Sequence, residues 1–319
     1  MRRGEASAAA ESAGRLSPAG RILGFGTRAV LHPLLRRGNA APMTRRAVGL
    51  LGLMIGQRAR GTGVQRTRLA GVPVEIVTPP PPGRSAPATI VYLHGGAYVS
   101  ASPRTYRRLV THLAAATGCR VVAVDYRLAP DHPYPAALDD SLAVCSAVLA
   151  DRPQQKIFIA GDSAGGGLTL ATAVTLRDRG APLPAALICI APWTDLTCSG
   201  ESIRTRARRE RMMSPAGVAA DARRYAGRED LRNPLISPLF ADLRGLPPML
   251  IQVGDDEILL DDSIRLAESA RAAGVTVNLQ VWQQLWHVWH LYAGLMQEAD
   301  TAMRGIADFV DDRLRGIAC

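Results

Sequence analysis

The sequence runs to 319 residues, 47% of them hydrophobic, with a formal net charge of +10. That apolar content suits one large domain, or a domain with an appended cap, and no apolar run approaches the ~20 residues that cross a bilayer. The charge sits mostly at one end: residues 1–70 hold thirteen arginines against Glu5 and Glu11, and Lys156 is the only lysine.

The chain opens on "MRRGEASAAAESAG", which is basic but not followed by a hydrophobic core, so a cytoplasmic location is expected. Two helix-like pieces come next, "AGRILGFGTRAVL" and "TRRAVGLLGLMIG", interrupted by Pro33 and by Gly, Asn and Pro within 38–43. Residues 1–65 are therefore expected to form an N-terminal helical cap segment. Its arginines read as a solvated face. Weak peripheral association with an anionic membrane surface stays open, whereas no nucleic-acid motif accompanies them and no such partner is expected.

From about residue 66 onward the pattern is that of a separate catalytic domain. Apolar, β-branched runs ("GVPVEIV", "ATIVYLHGG", "CRVVAVDY", "KIFIAGDSAGG", "AALICIAPW", "PPMLIQVGDD", "VTVNLQVW") alternate with helix-period segments such as "PAALDDSLAVCSAVLAD" and "DDSIRLAESARAAGV". Near-continuous apolar strands separated by helices predict an α/β fold, a mostly parallel central sheet covered on both faces. "TPPPPGR" at 78–84 reads as a turn between early strands. The Arg-rich "ESIRTRARRERMMSPAGVAADARRYAG" breaks the alternation, and 197–235 is expected to be a helical cap insertion. The five cysteines, Cys119, Cys145, Cys189, Cys198 and Cys319, have no metal-ligand spacing, and their odd number argues against a disulfide framework.

In such sheets the chemistry lies beyond the carboxyl ends of the strands. "FIAGDSAGGGLTLATAV" gives a strand, then Gly161-Asp162-Ser163-Ala164-Gly165-Gly166, then a helix, the setting in which a G-x-S-x-G serine is a nucleophile on a sharp turn. A serine nucleophile needs a base and an oxyanion site. Only His287 and His290 follow Ser163, in "LWHVWH", and His287 sits where the loop leaves the strand-like "VTVNLQVW". "IVYLHGGAYV" supplies main-chain donors at Gly95 and Gly96, with the amide of Ala164 as the third. His94 lies on the oxyanion side and is read as an orienting residue, and Arg127 as a structural partner for nearby carboxylates. The acid must lie between Ser163 and His287, after the strand "PPMLIQV". Asp261 and Asp262 are read as helix-start residues. The remaining candidates Asp255, Asp256 and Glu257 are not separated by physics alone.

HGGAY at 94–98, "YRLAPDHPYPAALDD" at 126–140, GDSAGG at 161–166, "SPLFADLRGLPP" at 237–248 and "HVW" at 287–289 together resemble the bacterial hormone-sensitive-lipase-type esterases, from about residue 70 onward. The resemblance implies an α/β-hydrolase fold, hydrolysis of short- to medium-chain carboxylic esters and no metal or organic cofactor. The family's acid lies in a pattern like D-P-L-R-D-E-G, which falls without gaps on residues 257–263 and selects Glu257 over Asp256. The expected triad is therefore Ser163, Glu257 and His287, acting on a small ester through an acyl-enzyme. An amidase or deacetylase would use the same triad, a non-catalytic binding member would lack its histidine, and a homodimer stays open. Met212, Met213 and "LLGLMIG" are candidates for acyl-chain contact.

Overall fold

The computed structural model describes residues 16–36, 38, 42–55, 57–81, 86–152 and 154–316. The opening stretch through residue 15, residues 82–84 of the turn expected at 78–84, Ser85, the side chains at 51 and 53–56, and Cys319 lie outside the described residues. Two helices come first, α1 (Pro18–Leu35) and α2 (Pro42–Ile55). The strands β1 (Gly63–Leu69), β2 (Val72–Thr78), β3 (Ala88–Leu93), β4 (Arg120–Val124), β5 (Lys156–Asp162), β6 (Ala186–Ile190), β7 (Met249–Gly254) and β8 (Val277–Trp282) form one sheet in the order β1-β2-β4-β3-β5-β6-β7-β8. β2 runs antiparallel to both β1 and β4, and the other pairs are parallel.

Period-2 alternation along the central strands feeds two cores. Val91, Leu93, Ile157 and Ile159 face one layer, with α4 (Ala136–Asp151), α5 (Ala164–Asp178) and α8 (Leu260–Ala272). Ile90, Tyr92, Phe158 and Ala160 face the other, with α3 (Arg107–Thr117) and α9 (Gln297–Arg315). Since both faces are covered, β3, β5, β6 and β7 are buried along their length apart from Lys156. That is why their sequences read as unbroken apolar runs.

Two local expectations are corrected. α1 continues through Pro33, which falls in the last turn; it has no N–H to give the Ala29 carbonyl, so the disturbance is confined to the end of the helix. The Arg-rich segment is helical only at α6 (Ser202–Thr205) and α7 (Pro215–Ala226). Ser214 caps α7 by accepting from the Gly217 amide, with Pro215 in its first turn. Before it, the buried carboxylate of Glu210 accepts from the amides of Met212 at 2.7 Å and Ile258 at 3.0 Å, which holds the chain in an extended bend.

Helix α5 crosses β3 at van der Waals range. A Cβ on Gly165 would lie 2.0 Å from the Leu93 carbonyl oxygen and 2.6 Å from that of His94, both backbone atoms that cannot rotate away. Gly165→Ala is expected to destabilise the fold by about 3 kcal/mol. Gly26→Ala, in open space on α1, should be neutral or mildly stabilising. Thermal melts of the two variants check the contrast.

Candidate active site

β5 ends at Asp162, and the chain turns at once into α5. Ser163 takes the turn at φ 53°, ψ −123°, a region that costs a non-glycine residue about 1–3 kcal/mol. The turn is held from three sides: the Ser163 amide donates to the Ile190 carbonyl at 2.9 Å, and its own carbonyl accepts from Gly166 at 3.0 Å and Trp193 at 2.8 Å. The side chain is thereby held at the mouth of α5, whose first amides and positive dipole end lie alongside it.

The loops after β7 and β8 are laced together, Asp255 N–H donating to Trp282 O at 2.9 Å and Asp256 N–H to Leu285 O at 3.0 Å. That lacing brings Glu257 Oε2 into a short hydrogen bond with His287 Nδ1. The other carboxylate oxygen, Oε1, accepts from the Gly254 amide at 2.8 Å, so the acid is fixed at both ends. Both partners are buried. Burial alone lowers the imidazole's pKa, but Glu257 through charge and hydrogen bond, then Glu210 and Asp162 through charge, raise it above 6.5 overall. Val288, a β-branched residue, follows at φ 50°, so the backbone beside His287 is strained as well.

His290 takes no part in this pair. Its Nε2 donates to Gln252 Oε1 at 2.8 Å, and burial holds its pKa down to about 3. His94 is a neutral orienting group: Nδ1 donates to the Gly95 carbonyl at 2.7 Å, the ring stacks on Tyr126 at 4.3 Å, and burial lowers its pKa to about 4.

The oxyanion loop departs from expectation at one donor. The Gly95 amide donates to Asp162 Oδ1 at 2.9 Å, and the same carboxylate accepts from Tyr92 at 2.7 Å and Tyr106 at 2.8 Å. Gly95 is thus tied inward, while Gly96 and Ala97, at φ 107° and 55°, line the pocket with Ser163 and His287. Ala164 is the first residue of α5, next to the nucleophile candidate. Burial pushes Asp162 up to about 6, against the opposing pull of its tyrosine and amide donors and of His287. Sequence reasoning gave Asp162, Ala97 and Glu210 no role. Asp162 lies in GDSAGG, where the roles fall to Ser163 and Ala164, Glu210 is a single acid among arginines without a motif of its own, and Ala97 lacks the glycine that marks an amide donor.

The acidic stretch divides by what each carboxylate touches. Asp255 accepts from the Gln284 amide at 2.5 Å, and Asp256 pairs with Arg209 at 3.4 Å and Arg211 at 3.8 Å. Asp261 and Asp262 sit in the first turn of α8 but do not cap it: Asp261 accepts from Ser202 N at 2.8 Å, and Asp262 from the amides of Thr194 at 2.7 Å and Asp195 at 2.8 Å. Those neighbouring segments have amides needing partners, and both carboxylates point to them. Arg127 binds Asp140 through its amide and guanidinium, as a structural pair.

A model of the alpha/beta hydrolase fold family matches residues 90–291. A solved esterase of the bacterial hormone-sensitive lipase family superimposes with a TM-score of 0.87 at 38% identity, covering 94% of this chain and 100% of that one. This chain belongs to that family of α/β-hydrolases. The hydrolase is also 43% identical over 273 residues to the putative acetyl-hydrolase LipR of Mycobacterium tuberculosis, covering 85% of this chain and 86% of that protein. It is 43% identical over 230 residues to an acetyl-hydrolase of Streptomyces hygroscopicus, covering 72% of this chain and 77% of that one. The crystal structure of EstE5 soaked with p-nitrophenyl butyrate matches at TM-score 0.86 and 38% identity, covering 94% of this chain and 99% of that one.

The hydrolase's pocket is mostly apolar, with Ser100, Thr105 and Arg108 as polar lining residues outside the site itself. Leu31 and Leu35 of α1, Val48 of α2, Met212, Met213 and Val218 form much of its wall. For His287 to accept a proton it must be neutral, and its pKa lies above 6.5, so kcat/KM should fall on the acid side with a midpoint above 6.5. Glu257→Gln removes the charge that raises that pKa. It should move the midpoint down and lower kcat on the order of 100-fold or more. Asp256→Ala, whose carboxylate faces Arg209 and Arg211, should leave the acid limb in place. A pH–rate profile of the three proteins checks both.

Proposed function

We propose that this hydrolase cleaves short- to medium-chain carboxylic esters with Ser163 as nucleophile, His287 as general base and acid, and Glu257 as the orienting acid. His287 Nε2 takes the Ser163 proton as Oγ attacks the ester carbonyl. Glu257 holds the imidazole in the Nδ1–H tautomer and stabilises the imidazolium. The tetrahedral oxyanion is held by the amides of Gly96, Ala97 and Ala164. Gly95 acts at one remove, its bond to Asp162 setting the path of the loop that carries the other two. The imidazolium then protonates the leaving alcohol, and water repeats the cycle on the acyl-enzyme.

The observation that carries this reading is the buried His287–Glu257 pair in the same apolar pocket as a serine held at positive φ on a strand-to-helix turn. α1, α2 and the 197–235 segment act as the cap over this pocket, and their apolar inner side chains receive the acyl chain. The relatives named acetyl-hydrolase and the p-nitrophenyl butyrate used on EstE5 point the same way, toward short acyl groups.

Purified protein should hydrolyse p-nitrophenyl esters, with kcat/KM highest in the short to middle part of a C2–C12 series. The matching p-nitroanilides should turn over far more slowly. Ser163→Ala should abolish hydrolysis without changing the melting temperature by more than a few degrees. Faster cleavage of the anilides would assign the site to amides instead.

A further inference from the structure

The large apolar side chains that are exposed among the described residues are concentrated on the first two helices. Ile22, Phe25 and Val30 of α1 are 72%, 75% and 54% exposed, Met43 and Leu50 of α2 are 83% and 63% exposed, and Leu295 adds to them. Ile22, Val30 and Leu295 border a shallow groove that meets the active-site pocket at Leu31, Arg108 and Tyr292. On α1, Ile22, Gly26 and Val30 repeat every fourth residue, while Gly20, Gly24, Thr27, Leu31 and Leu35 form the buried side. The two helices therefore face the catalytic pocket with one side and present an apolar stripe outward with the other.

The helices' own charged side chains have one sign, while from neighbouring segments Glu298 meets Ser17 at the start of α1 and Asp131 pairs with Arg45 of α2. Residues 16–55 contain six arginines and no aspartate or glutamate. Arg21, Arg28, Arg36 and Arg46 are exposed, and Arg28 bonds the Arg208 carbonyl at 2.9 Å. That contact joins α1 to a second basic run in which Arg204, Arg208 and Arg209 are exposed and Glu210 is buried, with an exposed Glu201 just before it.

We propose that the α1–α2 face docks the protein on an anionic lipid surface, with the apolar stripe entering the headgroup boundary and the arginines contacting lipid phosphates. An amphipathic helix with arginines beside exposed Phe, Ile and Leu is the composition that lies in such an interface. Two other occupants fit less well. Residues 1–15 hold no large apolar side chain besides Met1 to match such a stripe. A second copy across a two-fold axis would bring the arginines flanking one stripe toward those flanking the other. Docked this way, the inner walls of the same helices lie between the lipid surface and Ser163, which suits an ester drawn from a lipid phase.

The test is flotation of the full chain with vesicles of phosphatidylcholine alone or mixed with phosphatidylglycerol. The chain should float with the anionic vesicles only, and high salt should release it. Phe25→Ser combined with Met43→Ser, at positions that line neither pocket nor groove, should weaken binding roughly tenfold and leave hydrolysis of soluble p-nitrophenyl butyrate unchanged. Arg21→Glu with Arg46→Glu should weaken it at least as much and remove the salt dependence. Ser163→Ala should bind like the parent, which separates docking from the catalytic reading. Equal flotation with both vesicle types, or unchanged binding in both double variants, overturns the proposal. So does a dimer that Phe25→Ser and Met43→Ser convert to a monomer in light scattering, because the face would then belong to a second copy.

Discussion

The turn at Ser163 governs the rest of the site. A serine at φ 53° is a strained backbone, and it persists because Ile190, Gly166 and Trp193 each hold one of its main-chain groups. The turn also demands that α5 start against β3, a packing open only to a residue without a side chain at 165. Once α5 is seated there, its amino end, the β3 loop at Gly95 to Ala97 and the nucleophile candidate are brought to one pocket. The sheet order then fixes the other partners, since β7 and β8 lie to one side of β5 with their carboxyl ends pointing the same way.

Electrostatics complete what the turn begins. Three buried acids influence one imidazole, but only Glu257 touches it; Glu210 and Asp162 act through charge. Each of the two remote acids is held by its own donors, Glu210 by the amides of Met212 and Ile258 and Asp162 by two tyrosines and the Gly95 amide. Neither is an unpaired buried charge, which would cost several kcal/mol. Glu210 also binds the amide next to Glu257, so the pocket-lining methionines and the acid's loop share one anchor.

Much of this was legible in the sequence because the responsible signals are local. Apolar strands alternating with helices, a serine between small residues after a strand, and the chain order of Ser163, an acid and His287 all follow from short stretches read in sequence. What could not be read depends on distant partners. β1 is an edge strand whose GVQRTRL is polar and half-exposed, so it carries no apolar run. Gly95 and Gly96 look alike as residues, and only Asp162, 67 positions away, distinguishes the inward amide from the one at the pocket. Asp261 and Asp262 sit where a helix start explains them, yet their acceptor atoms answer to amides near residues 194–202. The Arg-rich run has helical composition, but one buried glutamate pulls it into a bend.

The central claim is that Ser163 carries the acyl group between the two half-reactions. Rapid acid quench during turnover of p-nitrophenyl butyrate, followed by proteolysis and mass spectrometry, reads this directly. The account predicts a single butyryl group on the peptide containing Ser163, absent from the Ser163→Ala protein. Hydrolysis proceeding with no acylated peptide, or with the butyryl group on another residue, would contradict it.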